Sequence, residues 1–98
     1  MVETTLMTNI ELINTINEIK KKYHDGDLLL IWFYRNVNSL TDSIMASVPD
    51  KLYQDFKIEL RCVYNESLYG DGEYTDHVVN DCIKVLDSII DTLTLVKD

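Results

Sequence analysis

Six apolar residues in the last quarter of the 98-residue chain, Val79, Cys82, Leu86, Ile89, Leu93 and Val96, recur at steps of three, four, three, four and three positions. A helix repeats one face at that period, whereas a strand repeats every second residue. Such a seam belongs to a helix lying nearly parallel to its neighbours. Val78, Ile83, Val85 and Ile90 widen it, which suits contact with two neighbours rather than one. Burying six side chains of this kind gains less than ordering about 20 residues costs in conformational entropy. The helix therefore has to dock on other helices.

Three further helices are predicted upstream. Thr8 precedes Glu11 by three positions, the spacing of a capping box, with Met7 and Leu12 at the staple positions. Ile10, Ile13, Ile16, Ile19 and Tyr23 follow at helical intervals. Lys20, Lys21, Lys22 and His24 suit the negative end of the dipole, and Asp25-Gly26 stops the helix. This helix covers about residues 9–23. Asp27 is a good N-cap for the next one. The apolar run at 28–34 resembles a strand when taken alone. Leu30, Phe33, Val37, Leu40, Ile44 and Val48 continue it in steps of three and four, however, and predict a helix over about 28–46. Ser47 is placed to cap a third helix, over about 49–69, with Pro49 in its first turn. Its stripe is Leu52, Tyr53, Phe56, Leu60, Val63, Tyr64 and Leu68, and Gly70 is its expected C′ residue. Thr75 caps the last helix, over about 76–96, with Asp76 favouring its dipole. The connections are short, which favours antiparallel neighbours. The expected fold is all-α: one domain over residues 1–98, a compact up-down antiparallel four-helix bundle, with residues 1–7 at a frayed edge.

Composition excludes other classes. Three glycines and one proline are too little punctuation for a β-sandwich. Cys62 and Cys82 read as core residues, and a secreted domain of this size carries a denser set of disulfides. The first residues, Met-Val-Glu-Thr-Thr-Leu, lack a signal-peptide pattern. The seven-residue run at 28–34 falls far short of the roughly 20 needed to span a bilayer. A cytoplasmic location is expected, the host cytoplasm if the chain is viral. Asn65-Glu66-Ser67 matches a glycosylation sequon but falls within a helix, and is read as chance.

The net charge is −8 and the pI about 4.5. A nucleic-acid binder needs a basic face, so direct nucleic-acid binding is not expected. The amphipathic helices also lack the basic polar faces of membrane-surface helices. Residues 65–98 hold eight acids (Glu66, Asp71, Glu73, Asp76, Asp81, Asp87, Asp91 and Asp98) against Lys84 and Lys97, and so carry most of the charge. An acidic surface matches a basic partner, and the flanking Tyr69 and Tyr74 are of a type enriched in interfaces.

No catalytic set emerges. His24-Asp25 lacks the further His and Asp ligands of an HD-type phosphohydrolase. Asp71, Glu73, Asp76 and His77 crowd one loop and helix start, but their spacing is not that of an EF-hand, and turn and cap roles account for Asp71, Gly72 and Asp76 without a metal. The Glu-Glu-x-x-Glu cluster of MazG-type nucleotide pyrophosphohydrolases is absent. No metal or cofactor is expected. The expected function is a small acidic, non-enzymatic protein-interaction module that binds a basic partner surface. Chains rich in Asn, Ile, Lys, Asp and Tyr are typical of low-GC genomes and their phages and viruses, which often encode inhibitors, immunity proteins and anti-defence proteins. The candidate partner-binding residues are Tyr69, Asp71, Glu73, Tyr74, Asp81, Asp87 and Asp91. Two alternatives follow. One is a self-associating structural or regulatory protein that uses residues 28–34. The other is a metal-dependent nucleotide hydrolase that uses Asp81, Asp87 and His77.

Overall fold

A computed structural model describes residues 6–70 and 72–95. Every regular element in it is a helix: α1 (Asn9–His24), α2 (Leu30–Asn38), α3 (Thr41–Ser47), α4 (Asp50–Tyr69) and α5 (Thr75–Leu95). The all-α expectation holds, but five helices form where four were expected. The helix predicted over residues 28–46 is divided at Ser39-Leu40.

The division is a tightened turn rather than a loop. Ser39 (φ −65°, ψ −15°) and Leu40 (φ −91°, ψ −2°) both stay in the right-handed helical region. The Leu40 amide, however, donates to the Val37 carbonyl three residues back, at 3.0 Å. Short polar side chains reinforce it. Ser39 Oγ donates to the Asn36 carbonyl at 2.6 Å, Thr41 Oγ1 to the Asn38 carbonyl at 2.7 Å, and Asn36 Nδ2 to the Trp32 carbonyl at 2.6 Å. Such local bonds compete with the helical ladder. The apolar stripe survives the break, with Phe33, Val37, Leu40 and Ile44 all buried.

Most helix ends lie within a residue or two of expectation, but their caps differ. α1 starts as predicted. The Glu11 amide donates to Thr8 Oγ1 at 3.2 Å and the Thr8 amide to Glu11 Oε1 at 3.0 Å. These bonds, the Thr8 backbone first, hold the Glu11 carboxyl below its ordinary range. α1 ends in a Schellman arrangement: the Gly26 amide bonds to the Tyr23 carbonyl (3.1 Å) and the Asp27 amide to the Lys22 carbonyl (2.9 Å), with Gly26 at φ +79°. Asp27 is thereby spent closing α1, and Leu29 occupies the α2 N-cap without a side-chain bond. Ser47 is the last residue of α3, and Pro49 takes the α4 N-cap. Gly70 is the extended C-cap of α4 (φ −73°, ψ 153°), not a left-handed C′ residue. Glycine suits it for another reason, since a Cβ there would meet the Glu66 carboxylate and lie 2.6 Å from the Glu66 carbonyl oxygen.

α4 and α5, joined by a short loop, make the most extensive interhelical contact. α2 packs on α4, α1 on α5 and α2, and α3 on α1 and α4. The core holds Leu12, Ile16 and Ile19 of α1, Phe56, Leu60 and Val63 of α4, and Val79, Cys82, Ile83, Leu86, Ile89 and Leu93 of α5. The C-terminal seam is thus a core seam throughout its described length; Val96 lies outside the described residues. Three predicted stripe residues lie off the core: Ile10 is 72% exposed, and Tyr64 and Leu68 are also exposed. Cys62, expected in the core, is exposed as well. Residues 1–5 lie outside the described residues. Met7 is not frayed, because its amide donates to Ser43 Oγ at 3.1 Å and its side chain packs on the core. Among the described helices none is long and apolar enough to cross a membrane.

Candidate interaction surface

The α4–α5 junction carries the tyrosine-rich acidic segment. The loop leaves α4 at Tyr69 and enters α5 at Thr75. Two local bonds shape it. The Gly70 amide donates to the Glu66 carbonyl at 2.9 Å, and Thr75 Oγ1 donates to Glu66 Oε2 at 3.2 Å. Thr75 is therefore not the cap predicted for it. It is the first residue of α5, and its hydroxyl ties that helix back to α4.

This closure leaves Tyr69 and Tyr74 83% and 60% exposed, on either side of an open groove of about 520 Å³. Cys62, Asn65, Glu66 and Gly70 complete its lining. None of these four is among the partner-binding candidates named from the sequence. Their signal was there, because Cys62, Asn65, Glu66 and Tyr69 share one face of α4 at helical spacing. The groove offers phenol hydroxyls, an amide and a carboxylate beside apolar ring surface. That chemistry can receive a guanidinium or ammonium group while covering its alkyl stem.

The predicted acids do not form one free stripe. Asp71 lies outside the described residues, and Glu73 is exposed in the same loop. Asp81 is bracketed on its own helix by His77 (3.5 Å) and Lys84 (3.9 Å). Asp87 faces the other way and pairs with Lys20 of α1. Lys20 therefore does more than face the dipole at the end of α1. It ties that helix to α5 across 67 positions of sequence. Asp76 also faces α1 and accepts a 3.5 Å hydrogen bond from the Tyr23 hydroxyl. Burial first, then the nearby Asp76 charge, pushes the Tyr23 phenol above its ordinary value. Asp91 is exposed farther along α5.

The two thiols differ. Cys62 opens onto the groove, while Cys82 is fully buried. Burial, with smaller contributions from Glu59 and Cys62, pushes the Cys82 thiol up to about 12, so it stays protonated and inert near neutrality. Among the described residues no three His, Cys, Asp or Glu side chains converge to hold a metal ion. Comparison with protein-family models, with curated proteins and with solved structures returns no match.

Proposed function

We propose that this chain is a non-enzymatic protein-interaction module that docks a basic surface of a partner protein on its α4–α5 end, in the manner of an inhibitor, an immunity protein or an anti-defence protein. One observation carries this reading: the two most exposed tyrosines flank a groove that also presents Glu66. Exposed aromatic rings on a rigid frame are typical anchors of interfaces, and an acidic surround steers a basic partner at low ionic strength. Asp81 and Asp87, on which a hydrolase reading relies, are already engaged by His77 and Lys84 and by Lys20. The test is affinity capture from the source cell or its host at low salt, with the parent chain and with Tyr69→Ala/Tyr74→Ala as bait. A partner retained by the parent and lost with the variant supports the reading. A partner retained equally by both, or none retained by the parent, counts against it.

A second reading has its own observation. At the start of α2, the N-cap Leu29 is 68% and Trp32 49% exposed, one turn apart, with the Arg35 guanidinium 4.9 Å from the Trp32 ring centre. This apolar end of α2 suits self-association. Sedimentation over a concentration series decides it, since a monomer at high micromolar concentration removes this reading.

A further inference from the structure

The α2–α4 face opposes the acidic trend of the chain. A groove of about 200 Å³ there is lined by Tyr34, Asn38, Lys57, Leu60, Arg61 and Tyr64. Two cations line it and no carboxylate does, in a chain of net charge −8. Lys57 and Arg61 stand four positions apart on α4, a like-charge spacing that costs helix stability. Neither has an acid three or four positions away on either side: the neighbours are Tyr53, Gln54, Leu60, Ile58, Tyr64 and Asn65. The described ion pairs engage Lys20, Lys22 and Lys84, not these two.

We propose that this groove binds the dianionic headgroup of a small phosphate monoester. Arg61 offers a planar fork of donors, Lys57 a compact charge, and Asn38, Tyr34 and Tyr64 amide and hydroxyl donors. Two cations match a phosphate carrying about −1.5 to −2 charges better than a carboxylate. The volume is below the 300–1,000 Å³ typical of whole drug-sized ligands, so the site takes the headgroup and leaves the ester substituent in solvent. The rings of Tyr34 and Tyr64, 4.8 Å between centroids, pair across α2 and α4 in this lining.

The experiment titrates isotope-labelled protein with inorganic phosphate and with glycerol phosphate, holding ionic strength constant with chloride and using acetate as a control anion. Saturable NMR shifts are expected for Asn38, Lys57, Arg61 and Tyr64, with at least about tenfold weaker binding of acetate. Lys57→Gln/Arg61→Gln should weaken phosphate binding by tenfold or more, while melting at or above the parent temperature because the like-charge pair is gone. Non-saturating shifts, shifts centred on Lys21 and Lys22, equal binding of acetate, or phosphate binding unchanged in the double variant would each overturn the proposal.

Discussion

α5 and the α2–α3 pair share one sequence pattern and form different backbones. Both carry apolar residues at steps of three and four, and both bury them. Yet α5 runs unbroken from Thr75 to Leu95, whereas the other segment is split at Ser39-Leu40. The hydroxyl bonds mark the difference. In α5, Ser88, Thr92 and Thr94 donate to carbonyls four residues back, alongside an intact ladder. At the split, Ser39 and Thr41 donate to carbonyls three residues back, in step with the tightened Leu40 turn. Hydrophobic period thus reports which side chains face the core. It does not report whether the backbone between them is continuous.

The largest expected effect tests the α5 half of that comparison. Leu86 is fully buried, so Leu86→Asp places an unpaired charge in the core. We expect loss of the helical circular dichroism, or a fall in melting temperature of more than about 20 °C, from a cost above about 4 kcal/mol. A variant that melts like the parent would remove the seam from the core.

Next, Ile89→Ala in α5 and Ile44→Ala in α3 compare the halves directly, since both side chains are fully buried. Each should cost about 2–5 kcal/mol in denaturant unfolding. If Ile44→Ala were nearly neutral, the broken segment would be a surface appendage rather than part of the core.

The break itself should show in amide hydrogen exchange. Leu40 and Thr41 amides should exchange faster than those of Ile83 and Leu86. Replacing the local competitors with a strong helix former, Asn36→Ala/Ser39→Ala, should slow exchange at Leu40 and Thr41 while changing overall stability by no more than about 1 kcal/mol. Unchanged exchange in that variant would shift the cause of the break from these side chains to packing.

The smallest effect concerns Tyr23, which touches both halves. Its ring lies 5.2 Å from that of Phe33 in α2, and its hydroxyl bonds to Asp76 in α5. A phenol raised in the folded state contributes fully below its unfolded value near 10, and that contribution is lost as pH rises through the folded value. Stability of the parent should therefore decline more steeply above pH 10 than that of Tyr23→Phe. Equal slopes in alkaline denaturation series would show that the contact contributes nothing.

Legibility followed the range of the interaction. The Thr8–Glu11 capping box joins residues three apart and was read correctly, as was the Gly26 stop. Tyr69 and Tyr74 are named together from the sequence, and the structure sets them on one groove. The acids named from the sequence are not all free of partners, because Asp87 is paired with Lys20 from a helix distant in sequence. Cys62 was misplaced because it adjoins the buried Val63, yet lies on the solvent side of α4. The same limit hid the α2–α4 groove, whose lining comes from two helices.

By itself, then, the sequence determined the helical class, most helix ends to within a residue or two, and nearly all of the residues that face the core. Those follow from local geometry: the helical repeat, the caps, and the removal of apolar side chains from water. Only the tertiary structure decided where the second helix breaks, which acids pair with cations of other helices, and which residues from different helices share a groove. Those depend on how helices far apart in sequence pack together, and no local spacing encodes that.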